Sequence, residues 1–211
     1  MPDRRVALLA VALLTALTLA GCATAQPTAA PPSTPTPSSS ASPDTGLAAA
    51  PQNPVPEAPE TTTTATPTRI VIPRIGVDAT LLRLARGADG VLAAPPADRL
   101  DDAGWYAKGT VPGQIGPAVI AGHVDWVDRV AVFHRLGTLQ PGDEVLVRMS
   151  DRSTVRFRVD RTQAVSKFRF PTDAVYGPTP DAQLRVITCG GPWDDARDIY
   201  SENVIVYATR I

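Results

Sequence analysis

Residues 26–68 contain no aromatic residue and almost nothing that could form a hydrophobic core. All 11 aromatic residues of the chain lie at or after Trp105, whereas residues 26–68 hold 11 of the 22 prolines and three charged residues. A segment that buries little apolar area cannot offset the entropy lost when its backbone is ordered. The sequence therefore predicts one folded domain over residues 69–211, close to the usual domain size, carried on an N-terminal tail.

The N-terminus has the pattern of an export signal over residues 1–22. Two arginines precede an apolar run over residues 6–20, which is shorter than the ~20 residues that span a bilayer comfortably. The end of this run, Leu19-Ala20-Gly21-Cys22, resembles a bacterial lipobox, in which the cysteine is lipidated. An ordinary signal peptide or an uncleaved anchor with an incidental Cys22 is the alternative. Either interpretation predicts that the domain is exported, and the lipobox interpretation places it at the extracellular face of the cytoplasmic membrane.

Residues 23–68 are predicted to form a disordered linker rich in Pro, Ala, Ser and Thr. At ~3.1 Å per residue in a polyproline-like conformation, such a segment reaches roughly 140 Å. It would hold the domain away from a membrane anchor.

Charge and histidine content exclude several classes of function. Residues 69–211 hold 18 of the 20 basic and 17 of the 21 acidic residues and contain no basic stripe, which argues against nucleic-acid binding. The chain has two histidines and no zinc-ligand spacing. The sequence predicts no metal and no cofactor.

The domain is predicted to be mostly β, with short helices and loops. Short apolar or alternating runs separated by turn residues predict strands, and helical periodicity is absent. The clearest hairpin ends in residues 154–161, where Val155, Phe157 and Val159 alternate with charged residues. Residues 85–104 are predicted to be a loop. A closed antiparallel or mixed barrel accommodates seven or eight such strands. Strands are predicted at residues 69–72, 77–84, 117–122, 144–149, 154–161, 184–188 and 204–208.

Cys189 is the thiol that remains if Cys22 is lipidated. A solitary cysteine in an exported domain is either a small buried apolar residue or a reactive thiol. Cys189 follows a predicted strand and precedes Gly190-Gly191-Pro192, a turn that favours close approach of a substrate to the sulfur. The spacing leaves both interpretations open.

His123 ends another apolar predicted strand, directly after Gly122. An imidazole at this position can act as an acid or as the partner of a thiolate, although a structural histidine fits the same pattern. His134 lies in Phe133-His134-Arg135-Leu136, has no such setting and is interpreted as structural.

Several segments of the domain together carry a family resemblance. They are the histidine segment Pro117-Ala118-Val119-Ile120-Ala121-Gly122-His123-Val124-Asp125, the cysteine segment Leu184-Arg185-Val186-Ile187-Thr188-Cys189-Gly190-Gly191, residues 70–77, 139–143 and 170–172, and Asn203-Val204-Ile205-Val206-Tyr207-Ala208. Together they resemble the sortases, specifically the class F sortases of actinobacteria. The resemblance covers essentially all of residues 69–211. The Thr-Cys end of the cysteine segment matches the TLxTC signature, with Arg185 and Val186 in place of its first Thr and Leu.

The resemblance implies a closed eight-stranded sortase-type β-barrel with a Cys–His–Arg site. Cys189 would be the nucleophile and His123 the acid and base, and the competent enzyme would hold a thiolate beside an imidazolium. Cys189 would attack the Thr carbonyl of an LPXTG-like sorting signal on a surface protein, forming a thioacyl-enzyme. An amine of a peptidoglycan precursor or a pilin lysine would then release the product.

The arginine implied by the resemblance has two candidates after Cys189. Arg210 lies beyond the last predicted strand, whereas Arg197 lies eight residues after the cysteine in Trp193-Asp194-Asp195-Ala196-Arg197-Asp198. We predict that Arg197 orients the substrate and stabilises the oxyanion, since a guanidinium offers fixed donors and keeps its charge. The alternative is a surface ion pair with one of the neighbouring aspartates.

Substrate contacts are predicted within residues 167–180, where Phe168, Phe170 and Tyr176 are candidates for an apolar groove, together with Thr188. Core packing explains the aromatic residues equally well. The alternative function for the whole chain is a non-catalytic lipoprotein that binds cell-wall components on a sortase-like barrel. An L,D-transpeptidase lacks support because the chain has no S-H-G-C-type run.

Overall fold

The computed structural model describes residues 56–57 and 64–211 of the chain. The predicted signal peptide, Cys22 and most of the predicted linker lie outside these residues. Across the described ranges, no helix has the length and apolar character needed to cross a membrane.

Strands dominate the described part of the chain, which holds ten of them and one short α-helix. The strands are β1 (Pro67–Ile72), β2 (Val77–Leu84), β3 (Ala103–Tyr106), β4 (Gly116–Ala121), β5 (Asp125–Trp126), β6 (Arg129–Val130), β7 (Glu144–Met149), β8 (Thr154–Ser166), β9 (Ala182–Asp194) and β10 (Ile199–Arg210). The helix α1 is Thr172–Tyr176, and 3₁₀ turns are Pro73–Ile75, Leu136–Thr138 and Lys167–Arg169.

Eight of the strands form a closed barrel in the order β1, β2, β3, β4, β9, β10, β8, β7. Strand β7 pairs with β1 and closes it, so these strands leave no free edge. Neighbours are antiparallel except for β2 with β3 and β4 with β9, which are parallel. The prediction of a mostly-β fold with a closed eight-stranded barrel is confirmed. Strands β5 and β6 form a separate hairpin.

The hairpin of β7 and β8 has the predicted alternation. Val145 pairs with Phe157, and both side chains are fully buried. Arg156, the residue before Phe157 in β8, points outward and donates a hydrogen bond to Glu144 at 2.8 Å. This strand pair therefore buries one face and exposes the other, as its period of two requires.

Strand β3 is not among the predicted strands, and its first two residues lie in the predicted loop over residues 85–104. Its four residues, Ala-Gly-Trp-Tyr, are all buried and so do not alternate. Trp105 packs in the barrel interior while Tyr106 packs on the outer face, and a Cβ at Gly104 would clash with Leu84. A strand covered on both faces gives no alternating signal.

The core has two clusters, and the second one positions the site. The first cluster takes residues from all eight barrel strands and fills the interior. The second covers the outer face of β3, β4, β9 and β10 beneath α1, whose Val175 is fully buried in it. Cys189 packs at this second cluster together with Phe170 and Tyr176.

The alternation of β8 gives a stability prediction. Phe157→Ala removes a fully buried ring and is expected to lower the free energy of unfolding by about 3–5 kcal/mol. The neighbouring Arg158 is exposed, so Arg158→Ala is expected to change the free energy of unfolding by less than ~0.5 kcal/mol. Urea unfolding followed by circular dichroism measures both variants. Equal losses would contradict the assignment of the two faces.

Candidate active site

The parallel pairing of β4 with β9 brings His123 and Cys189 to the same level of the sheet. Ala121 pairs with Ile187, and His123 and Cys189 each lie two residues further along. Since side chains two residues apart share a face, both point to the outer face of the barrel. The backbone N–H of Gly122 donates to the carbonyl of Ile187 at 3.1 Å, which continues the pairing toward the histidine.

Both side chains line one cavity of about 280 Å³. Its walls come from the β5–β6 hairpin, the 3₁₀ turn after β8, and the strands β9 and β10. The lining residues are His123, Val124, Asp125, Trp126, Val127, Lys167, Cys189, Trp193, Asp198, Ile199 and Tyr200. Val127 is 86% exposed and Trp193 is 47% exposed, which gives the cavity an apolar rim.

Cys189 Sγ accepts a hydrogen bond from Lys167 Nζ at 3.4 Å. Burial raises the pKa of the Cys189 thiol above its usual value, while the charge and hydrogen bond of Lys167 act in the opposite direction. The nearby Asp125 carboxylate adds to the increase in pKa. Burial and Asp125 thus favour the neutral thiol, and the lysine favours the thiolate.

His123 is oriented by the backbone. Its Nε2 lies 2.7 Å from the carbonyl oxygen of Pro95, and because a carbonyl only accepts, Nε2 carries a hydrogen and donates it. The other ring nitrogen, Nδ1, is therefore the atom that can take up or release a proton. Trp126 packs against the imidazole edge-on, with ring centroids 5.7 Å apart.

A second polar contact joins the β5–β6 hairpin to β10 across the cavity. Tyr200 Oη donates to Asp125 Oδ2 at 2.6 Å, and the hydrogen bond raises the pKa of Tyr200 to about 12. Trp193 packs edge-on against Tyr200 at 5.1 Å between ring centroids. The sequence predicts no role for Lys167, Asp125 or Tyr200. Asp125 is the last residue of the histidine segment and Lys167 is the first residue of the predicted substrate-contact segment 167–180, whereas no sequence pattern marks Tyr200.

Arg197 lies at the surface. Its Nη1 donates to Asp194 Oδ2 at 2.7 Å, which lowers the pKa of Asp194, and its side chain is 59% exposed. The guanidinium lies 5.5 Å from the centroid of the Phe168 ring. Within the described residues Arg197 does not line the cavity, although Asp198 next to it does. This is the surface ion pair considered as the alternative, and a catalytic role for Arg197 stays a prediction.

Arg210 is far from the nucleophile. Asn203 is the β10 partner of Cys189, and Arg210 lies seven residues further along the strand, roughly 23 Å at ~3.3 Å per residue. It donates to the carbonyl of Gly113 at 2.9 Å. His134 lies in another cavity, beside Gly76 and Arg135.

The predicted substrate residues divide into exposed and packed side chains. Phe168 is 52% exposed. Phe170 and Tyr176 contact each other at 6.2 Å between ring centroids and pack at the second core cluster. Thr188 is 1% exposed and pairs with Val204, a residue packed against the interior cluster, so it faces away from Cys189. Phe170, Tyr176 and Thr188 thus occupy packing positions, and their contact with substrate remains untested.

The site has no evident metal centre. In residues 56–57 and 64–211, no group of three or more His, Cys, Asp or Glu side chains is placed to hold a metal ion.

Comparison with solved structures shows which proteins share this barrel. Sortase A from Corynebacterium diphtheriae superimposes with a TM-score of 0.52 and 21% identity over 69% of this chain and 60% of that one. Sortase C-1 from Actinomyces oris gives a TM-score of 0.52 and 23% identity over 68% of this chain and 72% of that one. Sortase C1 from Streptococcus agalactiae gives a TM-score of 0.53 and 18% identity over 68% of this chain and 66% of that one. The chain thus spans about 60–66% of two of these structures.

Sequence comparison supports the same family. No curated protein sequence gave a match. The sortase domain family model matches residues 70–211, which take in the barrel from within β1 to the end of β10. The chain belongs to the sortase family.

Proposed function

We propose that this chain is a class F sortase, an extracellular cysteine transpeptidase that cleaves an LPXTG-like sorting signal after its threonine. One observation carries the proposal. In a barrel of the sortase family, a single cavity holds the thiol of Cys189 and the imidazole of His123. A thiol beside an imidazole is the arrangement that acyl transfer through a thioester requires.

In the first step, the Cys189 sulfur attacks the threonine carbonyl of the sorting signal. Before the attack, the thiol proton passes to Nδ1 of His123, since Nε2 is held by the carbonyl of Pro95, and the competent enzyme then holds a thiolate and an imidazolium. The carbon–nitrogen bond breaks, and the leaving amine takes the proton from the imidazolium. The products are a thioacyl-enzyme and the C-terminal fragment of the signal.

In the second step, an amine attacks the thioester carbonyl. His123 removes the proton that the amine loses as the new amide bond forms, and the carbon–sulfur bond breaks to restore the Cys189 thiolate. The proposed acceptors are a peptidoglycan precursor or a pilin lysine. The proposed donors are surface proteins with a C-terminal sorting signal.

Apolar side chains at the rim support an apolar peptide substrate. Val127 and Trp193 line the cavity and are exposed, and Phe168 is exposed in the 3₁₀ turn after β8. Exposed apolar side chains around a concave site favour binding of apolar groups. The leucine and proline of an LPXTG-like signal are such groups.

The proposed location is the extracellular face of the cytoplasmic membrane. It rests on the apolar run of residues 6–20 and on the lipobox-like sequence that ends at Cys22. The predicted linker would then connect the lipid anchor to the barrel, whose first strand begins at Pro67.

A non-catalytic lipoprotein that binds cell-wall components is the second candidate function. The observation that favours it is the raised pKa of the Cys189 thiol, caused by burial. A thiol that stays neutral is a poor nucleophile. Failure of Cys189 to react with a peptidyl vinyl sulfone, together with specific glycan binding, would favour this candidate.

Cys189→Ala is expected to reduce cleavage of a fluorogenic LPXTG peptide to the background rate, because the nucleophile is lost. The matched control is Cys22→Ala at the other of the two cysteines, which is expected to cleave the peptide at the wild-type rate in detergent solution. Mass spectrometry is expected to detect the thioacyl adduct in the wild type and the control only. Cleavage of the peptide by the Cys189→Ala variant at the wild-type rate would contradict the proposal.

His123→Ala is expected to lower kcat for the same peptide by about 10²–10⁴-fold, the usual effect of losing a general acid and base. His134→Ala is the control, since His134 lines a different cavity, and it is expected to keep the wild-type kcat. Steady-state kinetics on both variants, with circular dichroism to check folding, makes the measurement. Similar losses in the two variants would contradict the assignment of His123.

A further inference from the structure

We propose that Lys167 is a catalytic residue of this site and that its buried ammonium is the counter-charge of the Cys189 thiolate. The inference rests on the proposed function, because it names the cation that the nucleophile of that reaction uses. Lys167 Nζ lies 3.4 Å from Cys189 Sγ. Arg197, which the sequence predicts to orient the substrate and stabilise the oxyanion, is held at the surface by Asp194.

The strand order explains how a residue 22 positions before the cysteine reaches it. Asn203 of β10 pairs with Cys189 of β9 on one side and with Val165 of β8 on the other. Strand β8 ends one residue later, at Ser166, and the 3₁₀ turn Lys167–Arg169 begins. The side chain of Ser166 accepts from the backbone N–H of Phe168 at 3.3 Å and caps this turn. Lys167 is thereby placed beside β10, level with the nucleophile.

The turn directs Lys167 inward while its neighbours stay in solvent. Lys167 is 2% exposed, whereas Phe168 is 52% exposed and Arg169 is also exposed. A lysine at this surface turn could extend into water at little cost, and long charged side chains usually do so. Its burial against the sulfur therefore points to an interaction with Cys189.

The chemistry of the contact favours the ionised pair. A buried ammonium is costly unless a strong acceptor or an opposite charge compensates it, and a neutral thiol is a weak acceptor. Among the described residues, the hydrogen bond shown for Lys167 Nζ is the one to Cys189. Arg185 is another buried cation, and several partners compensate the burial of its charge. It donates hydrogen bonds to Ala174, Leu184 and Gln183 and lies over the Tyr207 ring.

The other titratable groups around the cavity do not replace this counter-charge. Asp125, from β5, repels a thiolate, and its carboxylate accepts from Tyr200 of β10. Asp198, before β10, lines the cavity and is also acidic. The imidazole of His123 takes up and releases the proton that the reaction moves, so it offers no fixed counter-charge. Lys167 is the cation in contact with the sulfur.

The proton balance of the proposed reaction is unchanged by this assignment. The Cys189 proton still passes to His123 Nδ1 and then to the leaving amine. The sulfur electron pair forms the carbon–sulfur bond, and the ammonium of Lys167 keeps its three hydrogens. When the second amine releases the acyl group, the sulfur regains its electron pair beside the same ammonium.

The test is the pH dependence of Cys189 alkylation by iodoacetamide in the full chain, followed by mass spectrometry of the peptide that contains Cys189. Alkylation proceeds through the thiolate, and removing the nearby positive charge raises the thiol pKa. Lys167→Met is expected to move the midpoint upward by at least about one pH unit and to slow the reaction at pH 7 about tenfold. Lys167→Arg is expected to retain most of the wild-type rate.

Lys108→Met is the matched control, because Lys108 is the chain's other lysine and is exposed; it is expected to leave the profile unchanged. Circular dichroism and the melting temperature check that each variant folds. If Lys167→Met does not fold, Lys167→Gln replaces it in the assay. A Lys167→Met or Lys167→Gln profile that coincides with the wild type would overturn the inference.

The alkylation assay needs no peptide substrate, so its outcome is separate from that of the proposed function. If Lys167→Met alkylates like the wild type while Cys189→Ala abolishes peptide cleavage, the inference fails and the sortase activity stands. If the midpoint shifts while the wild-type chain cleaves no sorting signal, Lys167 is still the counter-charge and the proposed substrate is wrong.

Discussion

The parallel pairing of β4 with β9 is the interaction on which the site depends. Ala121 lies opposite Ile187. The next residue on the same face is His123 after β4 and Cys189 along β9. A slip of one residue in this register would turn the thiol from the outer face toward the interior. Parallel neighbours require a long crossover, and the crossover between these two strands contains β7, β8 and α1. It therefore also delivers the turn that carries Lys167.

Placing the nucleophile on the outer face has an electrostatic consequence. Cys189 packs at the edge of the second core cluster, and this burial raises its pKa. A reactive thiol in such a place needs a nearby cation to favour the thiolate. Lys167 is in contact with the sulfur, whereas Arg197 is engaged with Asp194. The geometry thus places a cation beside the sulfur that the sequence did not predict, while the roles predicted for Arg197, substrate orientation and oxyanion stabilisation, stay predictions.

Local sequence patterns predicted strands in two ways. Strand β8 alternates around Phe157, and the apolar run before His123 is long enough to predict β4, which is buried on both faces. Strand β3 was not predicted because its four buried residues, Ala-Gly-Trp-Tyr, neither alternate nor form a longer apolar run.

The strand end predicted before Cys189 is wrong. Strand β9 continues through Cys189 and Gly190-Gly191-Pro192 to Asp194, because Gly191 takes a positive φ of 73° within the strand and the pairing with β10 shifts register there. The aromatic candidates were ambiguous for another reason: Phe170 and Phe168 have the same chemistry, but one packs at the core and the other is exposed.

The sequence by itself predicted a mostly-β barrel and marked Cys189 and His123 as its candidate reactive groups. These follow from composition, from short-range periodicity and from the residues beside each group. Only the tertiary structure decided which cation reaches the sulfur. Arg197 is eight residues from Cys189 and Lys167 is 22 away, yet the sheet order puts the lysine in contact and leaves the arginine at the surface. Contacts across strands depend on register and strand order, which no local pattern encodes.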